Sequence, residues 1–373
     1  MVVLKPGDNV QYAVDAHPIG TVFRLSAGTY VRQQVRPRSG DQFIADAGAI
    51  FDGQQATEYA FTVGDSPYPD NVRIHGLIVQ NYAPPVQMGA IRAGGSSASE
   101  GSRDWLIDSS EIRYNAAAGI NIGNRTRIIG NKIHHNLQLG IGGAGDSSFV
   151  DSNEISFNNY QKQYDFSWEA GGLKLAVSRG SVASRNYVHD NWGPGIWYDI
   201  DCYDTMIEQN RVDNNADAGI FYEISYVAVI RNNTVTGNGN ANAKWLYGAG
   251  IFVSSSRDVE VYGNTVTDNA RGIAGVMQDR GSSHFGLHSL DNLYVHDNVV
   301  SMTNWVVDGS GLGTVTGVGQ DIGDNSYFTS HGNRFEHNTY SLSPGSQQFE
   351  WMNQEISASG WRNYGQDLSG IFK

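Results

Sequence analysis

Six segments of the chain share one frame: Asn131-Lys-Ile-His-His-Asn136, Asn153-Glu-Ile-Ser-Phe-Asn158, Asn186-Tyr-Val-His-Asp-Asn191, Asn210-Arg-Val-Asp-Asn-Asn215, Asn233-Thr-Val-Thr-Gly-Asn238 and Asn264-Thr-Val-Thr-Asp-Asn269. Each is followed by a strand that opens on glycine and an apolar residue, as at Gly140-Ile141, Gly172-Leu173, Gly195-Ile196, Gly219-Ile220, Gly250-Ile251 and Gly272-Ile273. The basic period is 22 to 24 residues, as from Asn131 to Asn153 and from Asn186 to Asn210. Self-similarity at such a period marks a solenoid, in which each repeat buries its apolar face only against its neighbours. Three short strands and three turns fit one period, so the fold class is all-β, a parallel β-helix. The recurrent Asn reads as structural: stacked turn asparagines hydrogen-bond along the axis, and Asn tolerates the left-handed backbone that such turns use.

Weaker copies extend the pattern. They include Val35-Arg-Pro-Arg-Ser-Gly-Asp-Gln-Phe-Ile44, Asn71 to Asn81, Trp105 to Asn115, Val295-His-Asp-Asn298 and His331-Gly-Asn333. The tally predicts about ten coils in one domain, residues 1–373, with an N-terminal cap over 1–30, coils over 31–340 and a C-terminal cap over 341–373. Open coil ends need covers. Gly7 to Asp15 reads as a short helix capped by Asp8, with Gln11 at the capping-box position, and Gln354 to Tyr364 as a second short helix.

Composition narrows the function. Of 373 residues 40% are apolar and 17% charged, which describes a folded chain. The net charge of −13 disfavours nucleic acid and anionic membrane as partners. One cysteine, Cys202, rules out an intrachain disulfide and reads as a small buried residue. No apolar run has the length of a membrane span. No signal peptide opens the chain, and the function argued below predicts a secreted or cell-surface protein whose targeting segment has been removed.

Three intervals break the period. Asn159 to Trp168 and Gly239 to Tyr247 intrude at the same turn, between an Asn frame and its glycine strand, and Gln278 to His288 follows a glycine strand. Long loops on one side of a rigid scaffold commonly carry function. Between them, the strands Gly195-Ile-Trp-Tyr-Asp-Ile-Asp201 and Gly219-Ile-Phe-Tyr-Glu-Ile-Ser225 share one pattern. Strand alternation sends Ile196, Tyr198, Ile200, Ile220, Tyr222 and Ile224 inward. The outward columns then read Lys174, Trp197, Phe221, Phe252; Ala176, Asp199, Glu223, Ser254; and Ser178, Asp201, Ser225, Ser256.

Asp199 and Glu223 are thus predicted neighbours on adjacent coils, at the roughly 4.8 Å strand spacing. Like charges so close destabilise a sheet, so one of the two is expected to hold its proton to higher pH. One acid and one anion are what glycoside hydrolysis needs, and a separation of about 5–5.5 Å predicts the retaining mechanism. Trp197 and Phe221 offer flat faces to sugar rings, with Trp168, Trp192, Trp245 and Tyr247 as walls. Lys174, one coil earlier, is placed to hold Asp199 ionised. Glu169, Asp201 and Arg280 are candidates for binding hydroxyls or tuning charge. No HExxH-like spacing points to zinc. No cofactor is expected, although the Asp199–Asp201–Glu223 trio has enough oxygens for Ca²⁺.

The coils resemble the right-handed parallel β-helix carbohydrate-active proteins of the pectin-lyase-like superfamily. Gly195-Ile-Trp-Tyr-Asp199 and Phe221-Tyr-Glu223-Ile are similar to strands of β-helix glycoside hydrolases of the β-xylosidase type, and Gly360 to Ser369 resembles their closing segment. This resemblance implies a poly- or oligosaccharide substrate, Asp199 as nucleophile and Glu223 as acid/base. Asp201 departs from that pattern. The chain also resembles alginate epimerases and lyases, without their Asp-Pro-His signature. The alternatives are therefore a Ca²⁺-dependent uronate lyase or C5-epimerase, with Lys174 or Arg280 as base, and a non-catalytic glycan-binding or spike domain.

Overall fold

In the computed structural model, the strand Ile196–Asp199 pairs in parallel with Ile220–Glu223, and that strand with Ala249–Ser254. Arg271–Met277, Thr316–Gln320 and Phe349–Trp351 follow in the same parallel sheet. Along the coils successive strands go to different sheets, and each of the three long sheets gains one strand per coil. The structure describes residues 1–64, 67–94, 101–303, 315–344 and 347–373. It divides into two compact units, Met1–Asn186 and Tyr187–Lys373. Among the described residues no helix is long and apolar enough to cross a membrane.

Within the first unit, Val2–Leu4 already pairs in parallel with Val22–Leu25, so stacking begins inside the stretch expected to be only a cap. The helix spans Val10–Ala16 and its cap is Asn9, whose side chain accepts from the Tyr12 amide. Asp8, the expected cap, instead accepts from the Lys5 amide in the preceding turn. Gln11 does not close a capping box: it donates to Asp15 and accepts from the Arg36 amide. At the other end, stacking also runs past residue 340, because Ile371–Phe372 pairs with Thr339–Leu342. The expected second helix is shorter, Ala358–Asn363, behind an antiparallel strand Gln354–Ile356.

The core repeats as the alternation requires. Ile196, Ile220, Ile251 and Ile273 are fully buried, as are Val212, Val235 and Val266. The asparagines form two ladders in each unit. In the second unit, Asn233 Nδ2 and its backbone amide both donate to Asn264 Oδ1, at 3.0 and 2.9 Å. Asn264 repeats this onto Asn298, and Asn298 onto Asn338. The left-handed residue is the one before the ladder Asn, as at Asn232, Asp297 and His337 with φ of 56°, 54° and 58°. The ladder Asn itself is chosen for its carboxamide. This also explains the glycine that opens each strand: a Cβ on Gly219 would lie 2.9 Å from Asn238 Nδ2 and 2.5 Å from Val235.

Candidate active site

The strands set the outward columns. Trp197 pairs with Phe221 and Phe221 with Phe252, while Glu223 pairs with Ser254. Asp199 and Glu223 close their strands, each following the paired tyrosines 198 and 222. Both are nearly buried, at 6% and 8% exposure. Glu223 is held on two sides: Arg280 donates to Oε1 at 2.6 Å and the Trp197 indole to Oε2 at 3.2 Å. An opposite charge at that distance favours the carboxylate form.

The aromatic faces are not open. The Trp197 and Phe221 rings stack at 5.2 Å and 15°, and Phe221 stacks on Phe252 at 4.8 Å. Residues from 239–247 cover this stack: Leu246 is buried in it, and Trp245 and Tyr247 pack against it. With 2% and 6% exposure, Trp197 and Phe221 work as a packed wall beside Glu223 and not as a sugar platform. Trp245 turns toward the C-terminal coils, where its indole donates to Glu350, a carboxyl that burial pushes above its ordinary value. Tyr247 stays beside the acid: burial and then the Glu223 charge push its hydroxyl pKa up, and it donates to Gln278 at 2.8 Å.

Two buried charges clamp the covering loop. Arg271, at 1% exposure, donates to the carbonyls of Trp245 and Ala243. Asp217 accepts from the Ala218 amide and from Asn242 in the loop. Burial, the dominant cause, raises the Asp217 pKa to about 6.

In the first unit, Lys174 is buried and donates to Glu169 at 3.2 Å and to the Trp168 carbonyl. These two predicted residues are brought together with each other, and Trp168 is exposed beside them.

The third outward column differs from expectation. Tyr198 pairs with Tyr222 and Tyr203 with Tyr226, so five steps on one coil face four on the next. The strand stops at Asp199; Ile200 and Asp201 take left-handed backbone, φ 47° and 59°. Ile200, expected inside, is therefore exposed. Cys202 replaces Asp201 in the stack: its amide donates to Ser225 Oγ, and its thiol lies 3.4 Å from the Asp199 carbonyl. The Ser225 hydroxyl bonds the Glu223 carbonyl in the same way. Asp201 is the extra residue, and it meets His288 Nε2 at 2.9 Å. With Asp201 on His288 and Glu223 on Arg280, the trio suggested for Ca²⁺ does not converge, and no group of three metal-ligating side chains occurs among the described residues. His288 was missed from sequence; its only signal was membership of the insert 278–288.

Elsewhere in this unit, Ser326 Oγ lies 3.1 Å from His331 Nε2, and His331 Nδ1 bonds Asp291. This chain has the order of a hydrolytic triad. However, the Ser326 hydroxyl and amide also hold the exposed Asp324 carboxyl below its ordinary value, and Ser289 takes the second oxygen of Asp291. The adjoining hollow, lined by Arg257, Asp258, Asn292 and Ser330, has no apolar wall to exclude water. The cluster ties down the turn at Asn325–Phe328.

Residues 93–266 match the model of the right handed beta helix region. Solved structures share the fold. The A-module of the mannuronan C-5 epimerase AlgE6 from Azotobacter vinelandii is 15% identical with a TM-score of 0.65, over 98% of this chain and 94% of that one. XylC in complex with xylose is 12% identical with a TM-score of 0.62, over 98% and 82%. The alginate lyase AlyF-OU02 with G6 is 12% identical with a TM-score of 0.60, over 94% and 83%. At such identities the likeness is one of fold, and the fold is a right-handed parallel β-helix. No curated protein sequence matches the chain.

Proposed function

We propose that this protein is a carbohydrate-active enzyme, a retaining glycoside hydrolase that works with Asp199 and Glu223. The observation that carries the reading is the pair itself: two nearly buried carboxylates ending adjacent strands, one of them with its own cation. Adjacent strands lie about 4.8 Å apart, close to the roughly 5–5.5 Å between carboxyls that the retaining mechanism uses. Asp199 attacks the anomeric carbon while Glu223 protonates the leaving oxygen. Glu223 then takes a proton from water, and that water releases the sugar from Asp199. Arg280 favours the anionic Glu223 of this second half. The first half needs a protonated Glu223, and so requires Arg280 to draw back as sugar enters. A polymeric substrate suits an enzyme working outside the cytoplasm.

The test is a panel of neutral and acidic polysaccharides, read for reducing ends and for ultraviolet absorbance. Hydrolysis gives reducing ends without absorbance. Asp199→Asn and Glu223→Gln are each expected to lose roughly 10²–10⁴-fold in turnover with the fold intact. Full activity in either ends this reading.

A second reading has support in the fold shared with an alginate lyase and a C-5 epimerase. Released from Glu223, Arg280 would neutralise a uronate carboxylate. Absorbance from a new carbon–carbon double bond would establish a lyase. Tight oligosaccharide binding without product would leave a glycan-binding domain.

A further inference from the structure

Two features converge on one contact outside the acid pair. One is the extra residue, Asp201, in the coil that carries Asp199. The other is His288, a buried imidazole that ends the insert following the strand Arg271–Met277. They meet where His288 Nε2 lies 2.9 Å from Asp201 Oδ1. The other ring nitrogen, Nδ1, lies 3.1 Å from the main-chain carbonyl of Arg280.

We infer that His288 and Asp201 form a latch that holds the hairpin 278–288 on the coil and thereby keeps Arg280 on Glu223. Both are positioning residues. The inference rests on the reading that Glu223 is the working acid, and it adds how the charge of that acid is set.

The hairpin has little structure of its own: Ser282–Ser283 pairs antiparallel with Gly286–Leu287. Its tip is docked by Phe285, whose ring stacks on Tyr203 at 4.9 Å and packs against Tyr226 at 5.3 Å. The Tyr226 hydroxyl donates to the Gly286 carbonyl at 2.8 Å. These contacts fix the tip. At the base, Gln278 is anchored on Ser255, Tyr247 and Asp321, and the His288 ring is the contact made directly to the Arg280 carbonyl. A carbonyl and a carboxylate only accept hydrogen bonds, so each ring nitrogen can bond its partner here only as a donor. Removing the ring removes both contacts and loosens the backbone of Arg280. The groups that face His288 are Asp201, the Arg280 carbonyl and the Tyr226 ring at 5.5 Å. Those around Glu223 include Arg280, the Trp197 indole, Asp199 at the end of the preceding coil's strand, and Tyr247.

The Trp197 indole donates to Glu223, so its N–H resonance reports the Glu223 titration without any substrate. The signal is assigned by its loss in Trp197→Phe, and the titration is repeated in an Asp199→Asn background to remove that neighbour's step. Arg280→Gln is expected to move the midpoint up by about one pH unit, because an opposite charge has been lost. His288→Leu and Asp201→Ala, which remove the contact from either side, are expected to move it the same way by most of that amount. His288→Gln, which keeps one donor, is expected to fall between. The latch is overturned if His288→Leu and Asp201→Ala leave the midpoint at the wild-type value, or if Arg280→Gln leaves it there. Asp201→Ala leaves the His288 ring in place, so the test survives a fold-damaging His288→Leu. A chain that cleaves no polysaccharide would sink the proposed function and leave this titration as decisive as before.

Discussion

Asp217 carries the clearest cost in the candidate site. Burial raises its pKa from the ordinary 3.8 to about 6. The folded chain then binds this proton more tightly than the unfolded one. The group's contribution is greatest below about pH 4 and is lost as pH rises through about 6. Asp217→Asn keeps an acceptor for the Ala218 amide, and the Asn242 amide can turn to meet it. The variant is expected to be more stable than the wild type by on the order of 2 kcal/mol at pH 7–8, with the gap closing near pH 4. Paired urea unfolding curves at the two pH values check this. Single residues were only partly legible in the sequence. Asp199 and Glu223 could be placed because both sit inside period-2 strands. Asp201 could not, since one added residue between two strands leaves each strand's alternation intact. His288 could not either, because its partner is 87 residues away.

At the scale of elements, the loop 239–247 shows how an insert becomes part of a site. Its apolar residues close over Trp197, Phe221 and Phe252, and Arg271 grips its carbonyls from beneath. Arg271→Leu removes the grip and leaves buried carbonyls without donors. A loss of about 2–4 kcal/mol is expected. Tryptophan emission should shift to the red as the stack is uncovered; unchanged emission and stability would mean that packing alone holds the loop. The sequence revealed that the insert interrupts a coil and is rich in aromatics. It did not reveal that the aromatics face the protein, because a Trp beside an acid reads alike whether a sugar or a loop covers it. The caps show a smaller slip. Asp8 and Asn9 both suit a helix N-cap, and the choice between them falls to turn geometry.

For the molecule as a whole, the repeat was the most legible feature, since stacking forces each coil to present the same few residue types at the same places. A stack held by neighbours should also fail by neighbours. Asn264→Ala removes an acceptor for the amide and side chain of Asn233 and a donor to the Ile230 carbonyl. It is expected to cost about 3 kcal/mol. Hydrogen exchange should quicken at Asn233 and in the coils beside it, and fade with distance along the second unit. A uniform loss of protection would point to one cooperative fold instead.

The ladder through Asn264 also has a direction. Each ladder Asn gives its backbone amide and one carboxamide hydrogen toward the C-terminal end while its carboxamide also reaches back to a carbonyl of the preceding coil, and the last of them, Asn338, gives the forward pair to Asp367 Oδ1. Asp367 is fully buried, with Tyr340 and Trp361 donating to its other oxygen. As a carboxylate it can receive and has nothing to hand on. Chemically, the line of amides is a polymer with a terminator: Asp367 ends the sequence of side-chain donors, so the ladder is not handed on to a further asparagine.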